Sequence, residues 1–178
     1  MTRDARLPRP SDGGSYAGYQ PAIGSAVGAF YRAATLVDGL DPVVLEVVRV
    51  RCARVHDCRR CQVGRYVAAH DAGVDEALLD QVDDYGRSAL PERLKVALRF
   101  TDAFVTRPGD MGEDLRHALH AHFTPAEIVD MALAIMRFSV HKPLITLGVD
   151  AVPADVDADV MWFDFDAAGD VVAAEAPA

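Results

Sequence analysis

Three cysteines, one tryptophan and a 7% aromatic content leave this 178-residue chain without the materials of several protein classes. Three cysteines are too few, and odd in number, for the disulfide framework of a small secreted scaffold. No apolar run reaches the roughly eighteen residues that a membrane-spanning helix needs, and the start at Met1-Thr2-Arg3-Asp4 lacks the apolar core of a secretory leader. Positive charge is also scarce. Lys and Arg total 18 against 27 Asp and Glu, a formal net charge of −9. A phosphate backbone needs a basic surface, so no nucleic-acid partner is expected, and no membrane partner either. The expected setting is cytoplasmic, where thiols rest reduced.

What is present is apolar and helix-forming. Hydrophobic residues make up 51% of the chain, enough for one sizeable core and hence one domain. Pro8, Pro10, Gly13, Gly14 and Gly18 mark residues 1–20 as a flexible N-terminal arm. Residues 21–150 read as an all-α helical domain, and 151–178 as an acidic tail without a basic residue. Val27, Phe30, Tyr31 and Ala34 share one helical face. Asp41-Pro42 is a cap followed by a good first residue for a second helix, and a third is expected from about Cys58 to Asp71, stopped by Gly73. A short helix is expected over 77–82, and Pro91 opens another that ends at Pro108-Gly109. Thr124-Pro125-Ala126-Glu127 is a capping box before an apolar helix that Pro143 is expected to kink or divide. In the tail, Trp162, Phe163 and Phe165 are too apolar for solvent and suggest an extended strap.

The chemistry concentrates at Cys58-Arg-Arg-Cys61. Residues three apart on a helix share a face, so the two thiols can react with one partner or with each other. If a peroxide oxidises one to a sulfenic acid, attack by the other releases water and leaves a disulfide. Arg49, Arg51, Arg54, Arg59, Arg60 and Arg65 crowd the same stretch, either favouring a thiolate or an anionic partner, or simply solvating helix faces. Glu46 lies twelve positions before Cys58, and a turn at His56-Asp57 would bring it back toward the dithiol. It is either a proton-relay carboxylate or half of an ion pair with Arg49 or Arg65. Cys52, His56, Cys58 and Cys61 offer a Cys3His zinc set as an alternative, which the clustered arginines disfavour. Neither a metal nor another cofactor is expected.

Glu46, Cys58, Cys61 and Gly73, in a helix-rich stretch ending at Leu147-Gly148-Val149-Asp150, resemble the carboxymuconolactone decarboxylase family, and within it the alkylhydroperoxidase AhpD-like members. The resemblance spans roughly Leu40 to Asp150. It implies an all-α AhpD-like domain that assembles as a homo-oligomer. It further implies Cys61 as the peroxidatic nucleophile, Cys58 as the resolving thiol and Glu46 as the relay carboxylate, with a peroxide substrate and a dithiol-bearing electron donor. One position departs. Where the family pattern places histidine four residues after its second cysteine, this chain has Arg65, which stays protonated and cannot act as a general base. Two readings follow: a thiol-disulfide oxidoreductase that reduces peroxides, or a noncatalytic or weakly catalytic helical protein of assembly or ligand binding that lacks the relay histidine. His56 and His70 are the nearest candidates for a substitute base, although on one continuous helix His70 would lie opposite Cys61. Lactone decarboxylation is a third reading, carried by the wider family alone.

Overall fold

Three helices rich in small and β-branched apolar residues meet at the centre of the fold and fix everything else. The computed structural model describes residues 20–35, 39–146 and 160–177, with the side chains of 143–145 left aside. The expected N-terminal arm and the Leu147–Asp150 segment lie outside the described residues. Helices α1 (Pro21–Thr35), α2 (Pro42–Val55), α3 (Arg59–Val63), α4 (Val67–Asp71) and α5 (Glu76–Leu79) are followed by α6 (Glu92–Thr106), α7 (Glu113–His122) and α8 (Pro125–Thr146). Three short strands complete the fold: β1 (Gly64–Tyr66), β2 (Met161–Phe165) and β3 (Val171–Ala173).

Helix α2 packs against both α6 and α8. Val44, Val47, Val48, Val50, Cys52 and Ala53 are all buried, so apolar residues surround the helix instead of forming one stripe, as befits a central element. Leu94, Ala97, Leu98 and Phe100 of α6 and Met131, Ile135 and Phe138 of α8 close the core around it. The caps follow the sequence. Asp41 Oδ1 accepts from Val43 N at 2.7 Å, and the Thr124 hydroxyl and amide both donate to Glu127 Oε2, at 2.9 and 2.8 Å. Helix α8 runs on past Pro143 to Thr146 without dividing. Proline removes only one N–H here, and Thr146 Oγ1 anchors the last turn to His56 O at 2.6 Å.

The helix expected from Cys58 to Asp71 is broken at Gly64–Tyr66. Two arginines explain the break. Arg49 donates to Cys61 O at 2.7 Å and Gly64 O at 2.5 Å, and Arg65 donates to Gln62 O at 2.6 Å. Those carbonyls would otherwise accept the amides four residues on, and the extended backbone pairs instead with β2. β1 and β2 run parallel with Arg65 opposite Trp162 and Tyr66 opposite Phe163, while β3 pairs antiparallel to β2. Gly73 ends α4 at φ +97°, a conformation that favours glycine.

Candidate functional site

The dithiol sits on a turn that the backbone holds tightly. His56 N donates to Cys52 O at 3.1 Å to close α2, Asp57 takes φ 51°, and Cys58 N returns to Ala53 O at 2.9 Å. Asp tolerates this left-handed geometry better than most side chains. Cys58 becomes the N-cap of α3 and is fully buried, while Cys61, one turn on, is partly exposed. Both are free thiols. They hydrogen-bond through sulfur, and this contact, followed by the nearby Lys142, Arg49 and Arg60 cations against the cost of burial, lowers the Cys61 thiol to about 6. The same contact, with burial, pushes Cys58 strongly upward. Within the pair, Cys61 is thus the more acidic thiol and Cys58 its hydrogen-bond donor. Cys52 is different: burial raises it to about 11, and it belongs to the core.

Lys142 is the residue that sequence reasoning missed. It is 3% exposed, its Nζ donates to Phe138 O at 2.5 Å, and its charge acts on all three cysteines. Burial lowers its pKa. A lone lysine inside the apolar α8 run is the signal that marks it, because a buried ammonium needs a compensating anion. Ser139, one turn earlier, links His56 Nε2 at 3.1 Å and hydrogen-bonds Cys52.

Glu46 is 1% exposed and pairs with Arg49 through two hydrogen bonds, Nε to Oε2 at 2.6 Å and NH2 to Oε1 at 2.7 Å. The structure thus realises the ion pair among the alternatives. It connects Glu46 to the dithiol at one remove, through the Arg49 bond to Cys61 O. Arg65 turns away to Glu76, with contacts of 2.6 and 2.8 Å. Arg51 pairs with Asp102 and Asp83, and Arg54 with Asp83. Most of the arginine cluster is spent on structural pairs, and Arg60 and the Glu46-paired Arg49 also act on Cys61.

The histidines take other roles. His56 bonds Ser139, and burial lowers its pKa, so it is neutral near pH 7. His70 packs edge-on against Trp162 with centroids 5.2 Å apart; the broken helix removes the geometry that would have set it opposite Cys61. His117 faces Glu113 and His141 packs on Tyr31. Among the described residues, no group of three or more His, Cys, Asp or Glu side chains converges to hold a metal, so the Cys3His set does not form. No described helix is long and apolar enough to cross a membrane.

No protein-family model matches the chain. Two uncharacterized Mycobacterium tuberculosis proteins, MT2376 of strain CDC 1551 / Oshkosh and Rv2313c of strain H37Rv, are each 37% identical over 123 residues. That alignment covers 68% of this chain but 43% of each relative, so the chain spans less than half of their length. Among solved structures, ATU0492 from Agrobacterium tumefaciens, a protein of unknown function described as a candidate antioxidant defence protein AhpD, superposes with a TM-score of 0.66 at 21% identity. The match covers 79% of this chain and 97% of that one. The debrominase Bmp8, solved as a cysteine-to-alanine variant in complex with 2,3,4-tribromopyrrole, superposes with a TM-score of 0.63 at 13% identity, covering 78% and 75% of the two chains. At the level of fold, the chain is an AhpD-like all-α domain.

Proposed function

We propose that this is a weakly catalytic AhpD-like protein whose Cys58/Cys61 pair performs reversible thiol-disulfide chemistry but lacks the relay base for efficient peroxide turnover. One juxtaposition supports it: Cys61 is a stabilised thiolate beside the Cys58 thiol, while Glu46 is paired with Arg49 and position 65 holds an arginine paired with Glu76.

In the proposed step, the Cys61 thiolate attacks the distal peroxide oxygen and the O–O bond breaks, leaving a Cys61 sulfenic acid and an alkoxide or hydroxide that takes a proton. Cys58 then attacks the Cys61 sulfur, its thiol proton leaves with the hydroxyl as water, and a disulfide remains. A dithiol-bearing donor reduces it by exchange. The slow point is proton delivery. Arg49 and Arg65 hold charge but do not cycle a proton at neutral pH.

Self-association belongs to the same reading. Ile23 on α1 and Val129 and Met136 on α8 are large apolar side chains 58%, 56% and 45% exposed. The deciding assay is peroxide consumption with several dithiol donors, comparing the natural chain with Cys61→Ser and Arg65→His. The proposal predicts slow turnover that Cys61→Ser abolishes and Arg65→His increases. Rapid turnover by the natural chain would reject the weak-catalyst reading, and activity surviving Cys61→Ser would reject the assigned nucleophile.

A further inference from the structure

We propose that the cavity where α4 and the start of α5 meet strands β1 and β2 binds a small, non-anionic, planar aromatic or heteroaromatic molecule that carries one hydrogen-bond donor. The cavity holds about 200 Å³. An apolar cavity of about 150 Å³ takes a benzene ring, so this one admits a single ring with small substituents.

The lining sets the chemistry. Tyr66, His70 and Trp162 contribute aromatic surface and Val74 an aliphatic wall. His70 and Trp162 meet at an interplanar angle of 89°, which fixes one corner. Trp162 is held there because it is the register partner of Arg65 across the parallel β1–β2 pair. Glu46 supplies a buried carboxylate to the same space. Its Oε1 accepts from Arg49 NH2 at 2.7 Å and from Tyr66 N at 3.4 Å, whereas Oε2 accepts, among the described residues, from Arg49 Nε at 2.6 Å. A carboxylate oxygen accommodates two donors, so Oε2 has room for one more. His70 Nδ1 is also buried without a hydrogen-bond partner, with Asp71 Oδ1 too far at 3.6 Å.

Charge argues against an anionic occupant. Glu46 is matched by Arg49 and Glu76 by Arg65, while Asp75 accepts from the Leu78 amide through Oδ1 at 2.8 Å and keeps its negative charge at the exposed rim. An added anion would lose hydration and meet no free cation among the described lining residues. Aromatic rings, an acceptor at a buried wall and the lack of a free cation together describe a pocket for a phenol- or azole-like ring. Neither cysteine lines the cavity, so this inference does not rest on the thiol chemistry.

Trp162 is the only tryptophan in the chain, so its fluorescence reports on this wall directly. The full chain is titrated with phenol, with anisole, which keeps the ring but loses the donor, and with cyclohexanol, which keeps the donor but loses the aromatic ring. Phenol is expected to change the Trp162 emission saturably, with a Kd of about 1 mM or tighter, and the two controls to bind at least about tenfold more weakly. His70→Ala, at a side chain 40% exposed, is expected to weaken phenol binding by about threefold or more. The Cys58→Ser/Cys61→Ser double variant is expected to bind phenol as the natural chain does. No saturation with phenol, equal response to cyclohexanol, or unchanged affinity in His70→Ala would overturn the proposal. So would loss of binding in the double serine variant, provided its circular dichroism matches that of the natural chain.

Discussion

Cys61 owes its acidity first to the Cys58 thiol and then to the buried Lys142 and Arg49 cations. Lys142→Met therefore removes a cation while keeping the length of the stem, and the pH midpoint of Cys61 alkylation should rise by about one unit. Iodoacetamide labelling followed by peptide mapping reads that shift. In the natural chain the midpoint should fall at about 6. The sign of the linked stability is fixed. A thiol whose folded pKa is depressed stabilises the fold above its unfolded pKa, and that contribution disappears as pH falls through the folded value. Reduced protein should gain stability as pH rises from about 6 into the ordinary thiol range, a gain absent from Cys61→Ser in denaturant titrations. Glu46 offers a different test. Glu46→Gln leaves Arg49 a buried charge without its carboxylate and should cost about 3–5 kcal/mol in the same titrations, whereas replacing both by Met should cost far less. The cysteines, Glu46 and its pairing options were all legible from residue types and spacing. Lys142 was not, because its contribution depends on α8 returning beside the Cys52–Cys61 turn, about eighty residues away in sequence.

Among the elements, α2 and α8 declare themselves through caps and apolar content and α6 through its opening proline and apolar stripe, and all three form where the sequence suggests. The α3–β1–α4 stretch does not. Its apolar pattern favours one helix, yet side chains from outside the local window, Arg49 and the β2 strand, claim the backbone groups that would sustain it. Tertiary hydrogen bonds here override local propensity. The Trp162–Phe165 strap was legible as apolar but not as a strand, since its partner is a segment that itself reads as helix. Phe163 lies over Arg49 at 5.2 Å and Phe165 over the buried Arg137 at 4.5 Å, so the β2–β3 hairpin covers two buried cations. Gly169 docks this hairpin on α1: it has φ +81°, and a Cβ there would meet Arg32 O at 2.6 Å. Gly169→Ala should lift the hairpin from α1 at a cost of about 1–3 kcal/mol. The expected readout is faster proteolytic clipping beyond residue 159 and a red-shifted Trp162 emission, with the helical core intact by circular dichroism.

At the scale of the whole molecule, the likeness to ATU0492 over 79% of this chain extends to the arrangement of helices, at only 21% identity. Such a scaffold is set by core volume and helix packing, which many sequences satisfy. In the proposed reading its chemistry depends on a few side chains, and here Cys61 has a lowered pKa, Glu46 is paired with Arg49 and Arg65 is paired with Glu76. Whether Cys58 and Cys61 act together as the proposed redox pair is read from single-turnover oxidation. Reduced protein is mixed with one equivalent of hydrogen peroxide, quenched by alkylation and mapped by mass spectrometry. A Cys58–Cys61 disulfide with Cys52 still alkylated is expected. Both thiols remaining reduced, or Cys61 advancing to a sulfinic acid without a disulfide, would contradict it.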